Sequence, residues 1–259
     1  MFIILNKMDP KLIRKIRNQK KGTLIGVIGA TMPSPEYDSD SGIEIGRRLR
    51  KYLDSREGFI FTGGVLGVGV DIYEGVIREC VRNGYYSPLD GENRFDDRFF
   101  VLVPMYDEDI QLPKSLAQFF SGKTVSSITK RSIYRPPREY LKLGESSSRG
   151  RLDIVRAGEN MMERREYVAG IADVLVLVNG GSGTLDEAFN AVGTSVPLIV
   201  MEDSGGAAAL ICEAKKDAQN WRIKEQLQRR NLSIEYLQEA EIYVCKRSDE
   251  ISSCLERLF

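Results

Sequence analysis

Near-continuous apolar runs of strand length alternate with amphipathic stretches along this chain. Strands are expected at 23–30 (TLIGVIGA), 58–64 (GFIFTGG), 98–104 (RFFVLVP), 151–158 (RLDIVRAG), 173–181 (DVLVLVNGG), 196–202 (VPLIVME) and 240–246 (AEIYVCK). Helical periodicity fills the intervals at 41–56, 70–84, 159–172, 184–193, 207–219 and 222–230, with a last helix at 248–259. Ser41 with Glu44 reads as a capping box, Gly84 as a helix stop and Ser248 as a terminal cap. Strands apolar throughout and separated by helices mean a parallel sheet covered on both faces. The expected class is therefore α/β, a Rossmann-like doubly wound parallel sheet with helices on both faces. Right-handed crossovers then bring every loop that leaves a strand for a helix to one edge of the sheet, where ligands bind.

Two segments break the alternation. Residues 1–22 read as a basic N-terminal helix or extension carrying Lys7, Lys11, Arg14, Lys15, Arg17, Lys20 and Lys21. A solvated amphipathic helix is the plain reading, and a nucleic-acid or membrane contact the sharper one. Residues 23–259 read as a single domain with a basic insert at about 105–150, within which PKSLAQFF has helical character. The insert is either a solvated surface element or a basic lid.

Composition narrows the chemistry. Lys plus Arg and Asp plus Glu both number 37, so the net charge is zero, which argues against nucleic acid as the main partner. No apolar run is long enough to span a membrane, and MFIIL is too short for a signal-peptide core. Four scattered cysteines without a C-x-x-C pair suit a reducing, cytoplasmic setting and give no zinc or disulfide framework. The chain has no histidine, which removes Ser-His-Asp and Cys-His mechanisms and most zinc hydrolases. No metal and no cofactor are expected.

Two glycine-rich segments follow strands and precede helices: TGGVLGVGVD (62–71), with Gly63, Gly64 and Gly67, and NGGSGTLDE (179–187). Each suits an anion, because glycines allow close backbone approach and the next helix offers free N–H groups. Neither follows the dinucleotide fingerprint or carries a Walker lysine. Thr184 and Glu187 also satisfy T-x-x-E, so Glu187 either closes a capping box or faces a ligand.

GVIGA, FTGGVLGVGVDIYEGV, MMERREYVAGIADVLVLVNGGSGTLDEAFNA and SDEISSCLERL together resemble the LOG (Lonely Guy) family, once misnamed lysine decarboxylases, within the SLOG nucleotide-binding superfamily. The specific part is M-x-x-R paired with G-G-x-G-T-x-x-E at this separation. The resemblance covers about 23–104 and 151–259. It implies a phosphoribohydrolase that splits a nucleoside 5′-monophosphate into free base and ribose 5-phosphate. It places the catalytic pair on Arg164 and Glu187, and phosphate binding on Gly180, Gly181, Ser182, Gly183 and Thr184. Ribose and base contacts fall on Gly29, Ala30, Gly63, Gly64, Gly67, Met161 and Asn179. It also implies a homodimer or a larger homo-oligomer. Geometry agrees: Arg164 lies in the first turns of a helix starting near Glu159, and strand 173–179 returns Glu187 to the same edge. Arg164 would then anchor the phosphate or ribose and hold Glu187 ionised. The chain departs from the family at Asn179, usually Pro, at Arg165, usually Lys, and in the first glycine loop. An alternative is a SLOG-type sensor that binds a nucleotide-derived signal, such as a cyclic ADP-ribose-like molecule, without turnover. A scaffold working through the basic segments is a third reading.

Overall fold

The computed structural model describes residues 8–64, 67–83, 98–104, 153–217, 221–229 and 232–259. The expected insert at 105–150, its PKSLAQFF helix and the Gly84 stop lie outside these residues.

Seven strands form one sheet: β1 Thr23–Gly29, β2 Gly58–Thr62, β3 Phe99–Val103, β4 Asp153–Arg156, β5 Val174–Val178, β6 Leu198–Met201 and β7 Ile242–Cys245. Their order is β4-β3-β2-β1-β5-β6-β7, and every pair is parallel. The sheet is therefore of the Rossmann-like, doubly wound α/β class. The order runs outward from β1 in one direction and resumes beside it at β5, so the topological switch lies between these two strands. Gly29 pairs with Val178, which puts the loops after β1 and β5 side by side on the carboxyl edge.

Alternate side chains of the strands feed two cores. Ile25, Val27, Ile60, Val101 and Val176 face one side, which is covered by α2 (Ser39–Tyr52), α3 (Val68–Arg82) and α9 (Glu250–Leu258). Leu24, Ile28, Phe61, Phe100 and Leu175 face the other. That side is covered by α1 (Pro10–Gln19), α4 (Met161–Ile171), α5 (Ser182–Gly193), α6 (Gly206–Lys216), α7 (Trp221–Gln228) and α8 (Ile234–Glu239). Strands β3, β5 and β6 are apolar throughout because both of their faces are buried.

Helix α1 is part of this packing. Ile16 and Met8 are buried in the second core, Tyr167 Oη accepts from Asp9 N at 2.7 Å, and Arg17 pairs with Asp173 at 2.8 Å. Its basic residues Lys11, Arg14 and Lys15 lie on the outer, exposed face.

Two expected caps are displaced. Helix α2 begins at Ser39 and not at Ser41: Asp38 lies upstream, and its carboxylate accepts from Asp40 N and Ser41 N at 3.2 and 3.3 Å. Glu44, the other half of the expected box, pairs with Arg47 and Arg48 along the helix. At the terminal helix the cap position is Asp249 and not Ser248, with no side-chain cap bond; Ser248 serves through its carbonyl, which accepts from Ile251 N. The short α8 was not expected, since its six residues offer only Ile234 and Leu237 as buried positions. All four cysteines are buried and free, and Cys245 and Cys254 share a thiol contact of 3.4 Å.

Candidate functional site

Asn160 caps α4 at the carboxyl edge, its Oδ1 accepting from Met162 N and Glu163 N at 3.0 Å. The side-chain amide thereby satisfies two of the helix's orphan donors. One turn on, Arg164 turns inward. Its Nη1 donates to Glu187 Oε1 at 2.6 Å across 23 residues of chain, and both side chains are about 5% exposed. The neighbouring pair repeats the link: Arg165 Nη1 donates to Asp186 Oδ2 at 2.8 Å. Two consecutive arginines on α4 thus meet two consecutive acids on α5. Arg165 also donates to Met162 Sδ at 3.2 Å, and its guanidinium lies close over Gly183. Sequence reasoning noted Arg165 only as a departure from a family pattern. The available signal was an RR dipeptide on one helix and a DE dipeptide on the next, paired crosswise at separations of 23 and 21 residues.

Helix α5 starts at Ser182 with Gly181 at the cap position and no side-chain cap bond. The first intrahelical bond is Leu185 N to Gly181 O at 3.0 Å. By helix geometry the N–H groups of Ser182, Gly183 and Thr184 precede that first bond and have no partner within the helix. The capping-box reading of Thr184 and Glu187 is therefore corrected. Thr184 is the third helical residue, its side chain packed against Gly180, and Glu187 faces Arg164. Gly180 takes φ 107°, a backbone open to glycine at little cost, and it turns the chain into this helix.

Gly63, just past β2, lies under the Arg164 guanidinium: a Cβ there would overlap Nη1 and sit 2.9 Å from Cζ. The first glycine segment therefore meets the catalytic-candidate arginine. By contrast, a Cβ built at Gly64 or at Gly181 meets nothing within 4 Å. Gly29 ends β1 and abuts Val68 of α3, and Ala30 O accepts from Val68 N at 3.0 Å. Gly67 packs on the carbonyls of Ala30 and Thr31. The leading N–H of α3 is thus already bonded, unlike those of α5. Met161, the first residue of α4, is half-buried, while Met162 and Met32 are exposed.

Asn179 is buried at φ 54°. Its Nδ2 donates to Ser34 Oγ at 2.7 Å and to Ser204 O at 2.6 Å, and its Oδ1 accepts from Ser34 N at 3.2 Å. Further along the β1–α2 loop, Tyr37 donates to Asp71 Oδ2 at 2.9 Å.

Electrostatics follow burial. Loss of water pushes the Glu187 carboxyl above its ordinary range, and Arg164 and Arg165 pull it back only in part. Burial thus works against the expectation that Arg164 holds Glu187 ionised. Burial likewise pushes Asp71 up to about 6, against the pull of the Tyr37 bond. Among the described residues no group of His, Cys, Asp or Glu has the arrangement to hold a metal, and no helix is long and apolar enough to cross a membrane.

Residues 145–251 match the family model LSDAT_euk, described as SLOG in TRPM. No curated protein matches the sequence. Among solved structures, TM1055, a Northeast Structural Genomics Consortium target, is 20% identical with a TM-score of 0.50, covering 91% of this chain and 99% of its own. The Moco carrier protein of Chlamydomonas reinhardtii is 14% identical with a TM-score of 0.49, covering 92% and 98%. DNA processing protein A of Helicobacter pylori is 16% identical with a TM-score of 0.48, covering 99% and 91%. At such identity the TM1055 likeness speaks for the fold. The chain is thus a Rossmann-like α/β protein whose residues 145–251 are similar to the SLOG domain in TRPM.

Proposed function

We propose that this protein binds a nucleoside 5′-monophosphate at the carboxyl edge and hydrolyses its N-glycosidic bond. The observation that carries this reading is the buried Arg164–Glu187 pair beside the open N-terminus of α5. Partial positive charge and N–H groups at Ser182, Gly183 and Thr184 take the phosphate. Gly64 and Gly181 leave room for the ligand to approach the backbone. Arg164 anchors the phosphate or ribose and orients Glu187.

Glu187 then works on the anomeric carbon. Its carboxylate stabilises the positive charge that develops there, as in glycoside hydrolysis. Water adds to C1′ and passes a proton to Glu187, whose raised affinity for protons suits a base. The C1′–N bond breaks, its electron pair leaves with the base nitrogen, and that nitrogen takes up the proton that Glu187 received from the water, which returns Glu187 to its starting form. The products are free base and ribose 5-phosphate.

A second reading is a sensor that binds a nucleotide-derived ligand without turnover. The ion-paired, buried state of Glu187 favours it, because a carboxylate held by Arg164 is less free to act as a base. Incubation with AMP and other nucleoside monophosphates, followed by chromatography of free base, separates the two. The hydrolase reading expects base release by the wild type and none by a folded Glu187→Gln variant. Nucleotide binding without base release overturns it in favour of the sensor.

A further inference from the structure

The carboxyl edge is assembled from loops far apart in the chain, and one buried side chain joins three of them. Asn179 ends the β5 segment and leads into the Gly180–Gly181 turn before α5. Both of its Nδ2 protons are used, one on Ser34 Oγ after β1 and one on Ser204 O after β6. Its Oδ1 accepts from Ser34 N. An amide offers two donors and two acceptor sites, so three of four are spent inside the protein and no donor remains for a ligand. The backbone adds to the junction: Asn179 N donates to Ser204 Oγ at 2.6 Å, and Asn179 O accepts from Ala208 N at 3.1 Å. Ser204 Oγ in turn donates to Met201 O at 2.6 Å. Ala207 N donates to Gly180 O at 2.8 Å, so the first turn of α6 closes onto the same corner.

The backbone at Asn179 lies in the left-handed region, at φ 54°. Asparagine tolerates that region better than most side chains but still strains to occupy it. A strained, 1% exposed amide with both donors spent, at the root of an open helix N-terminus, fits a role in aiming that terminus.

We propose that Asn179 is a positioning residue: it ties the loops after β1, β5 and β6 into one platform and so holds the N–H groups of α5 where a ligand phosphate meets them. The ligand half of this inference rests on the nucleotide-binding reading above. Asn179 does not touch the ligand with a donor, in contrast to the base- or ribose-contact role that the family resemblance implies for it.

The test uses the full-length protein with Asn179→Gly and Ser34→Ala. The glycine variant keeps the left-handed backbone accessible and removes three hydrogen bonds, so it separates strain from bonding. Ser34→Ala removes one partner only and guards against a glycine variant that fails to fold. The proposal expects faster amide hydrogen exchange at Ser34, Ala207 and Ala208, with the rest of the sheet unchanged. It expects roughly tenfold weaker AMP binding in a folded variant, and a raised KM with kcat retained if AMP is turned over. Unchanged exchange at these amides, or unchanged AMP affinity in a folded variant, overturns it. If wild-type protein binds no AMP, the nucleotide reading fails by itself, while the exchange experiment still decides whether Asn179 joins the loops.

Discussion

Arg164 lies between Gly63 and Glu187: its Nη1 donates to the Glu187 carboxylate, and its guanidinium fills the space that a Cβ at Gly63 would need. A methyl group at position 63 competes for that space. Gly63→Ala should displace the guanidinium, weaken AMP binding and abolish base release while the sheet stays folded. Circular dichroism and the base-release assay check it together. Full activity in Gly63→Ala would show that the guanidinium has room to move.

The same pair has a stability signature. Removing one partner of a buried ion pair leaves an uncompensated charge, which costs roughly 3–5 kcal/mol. Arg164→Met should therefore lower the midpoint of chemical denaturation sharply. The double variant Arg164→Met, Glu187→Leu should recover much of that loss, because apolar groups of similar size fill the site without a charge. Both would be inactive. A double variant no better than the single one would mean that the pair is worth more than its desolvation.

Gly181 sits at the cap of α5 without a side chain. Gly181→Asp places a carboxylate where it accepts from the first-turn N–H groups, and open space surrounds the new Cβ. The expected stability change is small and favourable, a few tenths of a kcal/mol. The expected change in AMP binding is a large loss, since the carboxylate occupies the phosphate's donors. Thermal denaturation and equilibrium binding measured on one preparation test the opposition of the two effects. A variant that binds AMP as well as wild type argues against phosphate at this helix end.

Asp71 gives a pH signature. Its native affinity for protons is raised, from 3.8 to about 6, by burial. The native state therefore binds the proton more tightly than the unfolded chain does. Its contribution to stability is greatest below the unfolded value and is lost as pH rises from about 4 through about 6. Asp71→Asn keeps an acceptor for Tyr37 and removes the titration. It should raise the melting temperature at pH 8 by several degrees, each kcal/mol being worth roughly 2–4 °C at this size. At pH 4 little gain is expected. Equal shifts at both pH values would place the cause elsewhere.

Much of the architecture was readable in the apolar runs, because a strand buried on both faces has no polar positions to confuse the pattern. The parallel sheet and the shared carboxyl edge follow from that alone. Local rules failed where several polar residues crowd one turn. Ser41 and Glu44 had the right spacing for a cap, yet Asp38 lies upstream and accepts from Asp40 N and Ser41 N, so the helix begins before Ser41. Thr184 and Glu187 had the spacing too, but three glycines upstream let the helix begin earlier, and Arg164 offers Glu187 a stronger partner. Asn179 was read as a ligand contact. Its side chain also bonds to Ser34 and Ser204, 145 and 25 residues away, which lie beyond the reach of any local pattern. Left-handed backbone at a non-glycine residue leaves little trace in sequence.

Helix α1 joins the protein to itself over a long span: Asp9 meets Tyr167 at a separation of 158 residues, and Arg17 meets Asp173 at 156. Its apolar side covers a stretch of sheet whose central strands β1 and β5 are themselves far apart in the chain. During synthesis this helix emerges well before the residues it docks against, which lie 158 and 156 residues further along the chain. The helix is thus made long before it can find its place, and until then its apolar stripe stays uncovered.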